Sequence, residues 1–185
     1  KLPDLLASTR MLTCGEDLGM IPDCVPDVMK ELRILSLEIQ RMPKDTRSEF
    51  ADTWHYPYLS VCATSTHDMS PLRAWWREDR GVTQRFWNQV LGRQGEAPAD
   101  CNPDISRSII MMHLQSASML AILPLQDYLS LKPELCLSDP EKERINVPAI
   151  SPFYWRFRMK PTLESLMNDD ITEYIHGLVR ECGRK

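Results

Sequence analysis

Two carboxylates in this chain each follow a short apolar segment. Glu16 stands in the sequence Cys-Gly-Glu-Asp-Leu-Gly at residues 14–19, and Asp68 ends the sequence Ser-Thr-His-Asp at residues 65–68. Cleavage or transfer of a glycosidic bond uses a pair of carboxyl groups, one of which exchanges a proton with the glycosidic oxygen while the other acts on the opposite side of the sugar. The two acids therefore suggest glycosidic chemistry.

The segments that precede the two acids predict how they are positioned. Residues 11–14 and 58–63 are apolar runs that end in small or polar residues, a pattern typical of buried parallel strands. In a barrel of alternating strands and helices, catalytic groups lie at the carboxyl ends of the strands. About fifty residues separate the acids, which is room for roughly two strand–helix units. We expect Glu16 and Asp68 to converge.

The rest of the chain alternates in the same way. Apolar residues at helical spacing, turn residues and prolines predict an α/β fold with four strands, the last of which is followed by Gln126 and Asp127 at the rim. A long ordered loop rich in proline and charge is predicted over residues 132–152. The other predicted strands cover residues 36–42 and 118–123, and the predicted helices cover residues 25–32, 71–78, 83–91, 105–114 (with Asp104 as cap) and one or two closing helices within 162–182.

Composition excludes several classes of function. The chain has 185 residues, of which 43% are hydrophobic and 26% charged, as expected for one soluble globular domain spanning residues 1–185. Its net charge of −4 and the lack of a dense basic block argue against nucleic-acid binding. No apolar run reaches the roughly eighteen residues of a membrane span, and the first residues do not form a signal peptide. We expect neither a nucleic-acid partner nor a membrane.

The cysteines favour a reducing compartment. The six are scattered and form no Cys-x-x-Cys pair, which argues against a zinc or redox site. Buried thiols behave as small hydrophobic groups, and we expect most of these to be structural in a cytoplasmic protein. They are Cys14, Cys24, Cys62, Cys101, Cys136 and Cys182.

Several motifs in one order resemble a known family, the 4-α-glucanotransferases of the amylomaltase and disproportionating-enzyme type. The family's Gly-Glu-Asp-Leu-Gly motif occurs at residues 15–19 and its His-Asp motif at His67 and Asp68. The likeness runs nearly end to end and is greatest to the plant-cytosolic branch. The residues that suggest this branch are 15–22, 39–43, 72–76, 124–127 and 154–158.

The resemblance implies both an activity and the residues that perform it. The family transfers an α-1,4-linked glucosyl or glucanosyl segment from a maltooligosaccharide or glucan donor to a free hydroxyl of an acceptor sugar, by retaining double displacement. Glu16 would be the general acid/base, Asp68 would stabilise the transition state, and His67 would contact sugar hydroxyls. No metal or organic cofactor is expected.

Each of these residues also has a structural interpretation. Glu16 could accept backbone N–H bonds at the start of a loop or helix, and His67 with Asp68 could form only a loop pair. Asp17 could touch sugar, but a structural hydrogen bond is at least as plausible. Trp54 and Tyr56 are the aromatic residues that we expect to contact sugar, since they precede the Asp68 strand in a loop.

One departure from the family concerns the nucleophile. The family's catalytic nucleophile is an aspartate in an Arg-x-Asp motif on an earlier barrel strand, and no such motif precedes Glu16 here. A complete eight-stranded barrel typically needs about 250 residues. We therefore expect the C-terminal half of a (β/α)8 TIM barrel with closing C-terminal helices, whose partner is the missing N-terminal half of the same enzyme. The alternative is a non-catalytic glucan-binding or structural barrel fragment.

Overall fold

The computed structural model describes residues 1–153 and 155–185, so Tyr154, the first residue of the motif at 154–158, lies outside the described residues. The chain divides into two compact units. The first comprises residues 1–63 and 116–122, and the second comprises residues 64–115 and 123–185.

The first unit is built on a small parallel sheet. Its strands are β1 (Ser36–Ile39), β2 (Ser60–Ala63) and β3 (Leu120–Ala121), in the spatial order β1-β2-β3. Both pairings are parallel. A single parallel bridge between Cys14 and Leu35 extends the sheet beyond β1. Parallel strands that follow one another in sequence and in space are typical of α/β folds.

Two helices belong to the first unit, α1 (Leu2–Ala7) and α2 (Val25–Leu32). Pro26 lies in the first turn of α2, where its missing N–H costs nothing, and Asp27 favours the positive end of the helix dipole. Arg33 ends the helix in the left-handed conformation with φ of 55°. Met29 is the residue by which α2 enters the core.

The second unit is mainly helical, and an aromatic part of its core lies between α3 and α4. Trp76 and Phe86 are fully buried there and meet edge to face, with 6.2 Å between ring centroids. Such aromatic pairs contribute beyond their buried area. The helices of this unit are α3 (Leu72–Glu78), α4 (Arg80–Gln89), α5 (Pro103–Leu114), α6 (Leu125–Leu129), α7 (Leu163–Met167) and α8 (Ile171–Glu181).

Local capping residues explain where two of these helices begin. Asp79 accepts hydrogen bonds from the backbone N–H groups of Val82 and Gly81, which lowers the pKa of its carboxyl group. This cap starts α4 at Arg80, three residues before the predicted start. Asn102, rather than the predicted Asp104, caps α5 by accepting from Ile105 N–H.

The structure confirms most of the predicted elements and corrects one. The helix at 25–32, the helices near 72–78 and 103–114 and the closing helices are present. The predicted strand at 11–14 is wrong beyond the one bridge at Cys14, since its apolar residues are exposed rather than covered. Gln126 and Asp127, predicted at the rim, are buried in α6, and Asp127 accepts a hydrogen bond from Thr64, the residue after β2.

The remaining differences are smaller. The first predicted strand after α2 ends at Ile39, and the next begins at Ser60. Short 3-10 turns at Thr53–His55, Pro133–Leu135 and Pro140–Glu143 lie in segments predicted as loops. Within the described residues, no helix is both long enough and apolar enough to cross a membrane.

Candidate functional site

Glu16 is exposed on a loop whose neighbouring residues are fixed to β1. Gly15 N–H donates to the Leu35 carbonyl at 2.8 Å, and Leu35 N–H donates to the Thr13 carbonyl at 2.9 Å. One register step further, Leu37 N–H donates to Oδ1 of Asp17 at 2.8 Å, so that a side chain continues the ladder. Glu16 therefore lies between two anchored residues with its own side chain in solvent.

The surroundings of Gly15 and the backbone conformation of Gly19 bear on why glycine occupies these two positions of the loop. A Cβ at Gly15 would lie 2.9 Å from Cε of Met29, so a larger residue here would require the flexible end of this side chain to shift. Gly19 has φ of +78°, a left-handed conformation that glycine adopts without strain. The spacing of the two glycines around Glu16 thus reflects one close approach and one turn.

Asp17 belongs to a charged cluster with Lys44 and Glu38, in which both carboxylates are buried. Nζ of Lys44 donates to Oδ2 of Asp17 at 2.7 Å and to Oε1 of Glu38 at 2.8 Å. Ser36 Oγ also donates to Oε1 of Glu38. Asp17 is 6% exposed and Glu38 8% exposed. This network supports the structural alternative for Asp17, since both of its carboxylate oxygens accept bonds from within the chain.

The charged cluster borders a cavity of about 580 Å³ within the first unit. One wall is charged, and apolar residues from α2 and from the segment before β2 form the rest. The lining includes Met29, Ile34, Pro57, Tyr58 and Leu59.

His67 and Asp68 lie on the loop that follows β2, in the second unit. Asp68 Oδ1 accepts a hydrogen bond from Nδ2 of Asn146 at 2.5 Å, and its Oδ2 lies 3.5 Å from Nε2 of His67. The His67 ring is tilted against the Trp155 ring, with 5.2 Å between centroids. Both His67 and Asp68 are exposed. Asn146 and Trp155 thus contact the motif.

A fully buried carboxylate holds the two ends of the same loop. Oδ2 of Asp127 accepts a hydrogen bond from Thr64 Oγ1 at 2.5 Å, and its Oδ1 accepts from Leu72 N–H at 2.8 Å. Thr64 lies just before the motif and Leu72 just after it. Asp127 therefore fixes the span within which His67 and Asp68 project to solvent.

The two aromatic candidates differ in their exposure. Trp54 lies in the 3-10 turn Thr53–His55 and is 64% exposed, so a sugar ring has access to its face. Tyr56 is only 6% exposed, and its hydroxyl has no hydrogen-bond partner among the described residues. Burial, followed by the nearby Cys62 and Glu38, raises the pKa of Tyr56. In this conformation Tyr56 offers no open face to a glucose ring.

The predicted residues thus form two groups. Glu16 and Asp17 belong to the first unit, and His67 with Asp68 belongs to the second. Sequence reasoning missed Lys44, Asn146 and Trp155, because each lies far in sequence from the residue that it contacts. Lys44 is 27 residues from Asp17, and Asn146 is 78 residues from Asp68. The described part of the chain holds no group of three or more His, Cys, Asp or Glu residues that could bind a metal ion.

Comparison with known sequences gives a consistent result. Residues 2–164 match the family described as 4-alpha-glucanotransferase. The chain is 48% identical over 184 residues to 4-alpha-glucanotransferase DPE2 of Oryza sativa subsp. japonica, which covers 99% of this chain and 20% of the rice protein. It is 33% identical over 172 residues to a 4-alpha-glucanotransferase of Chlamydia caviae, covering 91% of this chain and 32% of that protein.

Solved structures show the same fold. An amylomaltase from Streptococcus agalactiae, determined in complex with acarbose, superimposes with a TM-score of 0.69 at 17% identity, covering 92% of this chain and 32% of that one. An amylomaltase from Corynebacterium glutamicum gives 0.62 at 15% identity, covering 91% and 28%. The chain spans between about a fifth and a third of these relatives.

Proposed function

This chain belongs to the 4-alpha-glucanotransferase family, and on that premise we propose that the protein that carries it is a 4-alpha-glucanotransferase. It takes an α-1,4-linked glucosyl or glucanosyl segment from a maltooligosaccharide or glucan donor and transfers it to a free hydroxyl of an acceptor sugar. The observation that carries the proposal is an exposed Glu16 between two anchored neighbours, in a loop that matches the family motif.

In this proposal Glu16 is the general acid/base of a retaining double displacement. It protonates the glycosidic oxygen as the donor is cleaved, and it later removes the proton from the acceptor hydroxyl that attacks the glycosyl intermediate. A carboxyl group that must both give and receive a proton needs solvent or substrate access, which its exposure supports. The nucleophile is supplied by sequence outside these 185 residues.

Asp68 stabilises the oxocarbenium-like transition state, and His67 contacts sugar hydroxyls. The partner of Asp68 at 2.5 Å is the neutral amide of Asn146, which brings no positive charge to the carboxylate. Hydrogen bonds to the ring hydroxyls that strengthen as charge develops contribute several kcal/mol in such reactions. Trp54 is the aromatic residue best exposed to stack on a glucose ring, whereas Tyr56 would first have to leave the core.

We further propose that the parallel sheet is part of a (β/α)8 barrel whose other half lies elsewhere in the enzyme. The sequential parallel order of the strands and the likeness to amylomaltases support this. The proposal includes no cofactor. All six cysteines are free, which supports a cytoplasmic location.

Replacing Glu16 by Gln in the full-length enzyme tests the proposal. The amide cannot exchange a proton, so we expect maltotriose disproportionation to fall by about 10²–10⁴-fold with the fold intact. Glu31→Gln, the same change at an exposed position of α2, should leave turnover unchanged. Near-normal transfer by the Glu16 variant would refute the assignment, and glucan binding without turnover by the unaltered enzyme would favour the non-catalytic alternative.

A further inference from the structure

The charged cluster of Asp17, Glu38 and Lys44 is unusual because both of its carboxylates are buried. Two carboxylates, 6% and 8% exposed, share one ammonium group whose side chain is 32% exposed. Buried carboxylates that lose their only cationic partner are strongly unfavourable, because water no longer solvates their charge. The carboxylates of Asp17 and Glu38 therefore need Lys44 in order to lie close together in their charged form.

The position of Asp17 depends on this cluster in turn. Its Oδ1 takes the place of a backbone carbonyl in the ladder with β1, while its Oδ2 is bound by Lys44. Glu38, the other acceptor of Lys44, is itself a residue of β1. Lys44 thus links Asp17, the residue after Glu16, to β1 through Glu38. Gly15, the residue before Glu16, is bonded to Leu35, which lies just before β1.

We propose that Lys44 is a positioning residue for Glu16. It touches neither substrate nor Glu16, and it acts by holding Asp17, so that the backbone of Glu16 is fixed at both sides. The inference rests on the proposed role of Glu16 as acid/base. A misplacement of a catalytic group by about 1 Å can cost on the order of a hundredfold in rate. The loss of a remote anchor of this kind should therefore be measurable as a lower rate.

The experiment compares two donors that differ in their need for an acid. Cleavage of maltotetraose needs a proton on the leaving glycosidic oxygen, whereas fluoride departs from α-maltosyl fluoride with its electron pair and needs no proton from the enzyme. The kcat/KM for fluoride release reports only the steps up to that cleavage. In the full-length enzyme, we expect Lys44→Met to lower kcat/KM for maltotetraose by about tenfold or more and to change kcat/KM for the fluoride by less than about threefold.

Two further variants and one control sharpen the comparison. Lys44→Arg keeps the positive charge and should restore most of the maltotetraose activity. Asp17→Asn keeps an oxygen for Leu37 N–H but weakens the attraction to Lys44, so it should show the same donor dependence as Lys44→Met. Lys30→Met removes another lysine that lines the same cavity and should leave kcat/KM unchanged for both donors.

The outcomes separate this proposal from its premise. An equal loss with both donors would make Lys44 a purely structural residue and overturn the proposal, as would wild-type activity of Lys44→Met. If Lys44→Met does not fold, the same two results for Asp17→Asn decide the question. Failure of the premise gives a different result. If Glu16 is not the acid/base, Glu16→Gln retains maltotetraose activity, and the proposal for Lys44 then fails as well.

Discussion

The carboxylates of Asp17 and Asp68 are held in opposite ways. Asp17 is buried and faces the ammonium group of Lys44, which compensates its charge. Asp68 is exposed and is held by the neutral amide of Asn146. A group that stabilises a developing cation must keep its negative charge available, whereas a group that holds a loop needs its charge balanced. The partners of the two acids therefore agree with the separate roles proposed for them.

Asn146 should accordingly matter for turnover. Its Nδ2 lies 2.5 Å from Oδ1 of Asp68, and removal by Asn146→Ala frees the carboxylate to rotate away from the sugar. We expect kcat to fall by about tenfold, since catalysis depends on pre-positioned charge, while KM changes little. Steady-state kinetics of maltotriose disproportionation measure both quantities.

Asn168→Ala, which removes an exposed amide at the end of α7, is the matched control and should behave as wild type. A rise in KM with unchanged kcat would instead show that Asn146 serves substrate binding and not the orientation of Asp68.

At the scale of elements, Asp127 links α6 to the loop that carries His67 and Asp68. Asp127→Ala leaves Thr64 Oγ1 and Leu72 N–H without this acceptor in a buried position. Each such loss costs about 1–3 kcal/mol, and more when the lost partner was charged. We expect the free energy of unfolding to fall by at least about 2 kcal/mol, measured by denaturant titration, with a loss of transfer activity in the full-length enzyme.

Asp100→Ala provides the comparison for Asp127, because Asp100 is an exposed carboxylate paired with Arg77. Exposed pairs of this kind contribute about 0–1 kcal/mol. If the two alanine variants were equally stable, Asp127 would not hold the loop as its geometry indicates.

The elements that the sequence predicted well are those with local signals. Pro26, Asp27 and helical spacing define α2 without reference to the rest of the chain. Asp127 shows the opposite case, since its burial and its bonds to Thr64 and Leu72, 63 and 55 residues away, have no local signal in the sequence. Residues 11–14 are apolar in sequence, but only Cys14 reaches a partner strand.

The candidate site divides in the same manner. The two glycines and two acids of the motifs are adjacent in sequence and could be found there. Lys44 and Asn146 reach their partners only through the fold, and neither spacing nor residue type marks them. Burial of Tyr56 was likewise invisible, because the residues on either side of it in sequence, His55 and Pro57, are exposed.

For the molecule as a whole, the first unit leaves both sides of its sheet sparsely paired. On one side, residues 11–14 contribute a single bridge, and Met11 is 77% exposed with Leu12 also exposed. On the other side, β3 is two residues long, and Ile122 after it is exposed. Uncovered strand edges flanked by apolar side chains favour association with further chain. These edges are where the proposed barrel would continue.

The isolated chain of residues 1–185 should therefore self-associate and lack transferase activity. Sedimentation and light scattering of the purified chain should show dimers or aggregates, and maltotriose should remain unconverted because the proposed nucleophile lies outside these residues. Leu12→Lys and Ile122→Lys place charges beside the two edges, so together they should reduce self-association without creating activity. Adding the remaining part of the enzyme should restore transfer only to the unaltered chain, since the charged variants block the same edges. A monomeric, cooperatively unfolding chain that transfers glucose alone would contradict both the half-barrel architecture and the external nucleophile.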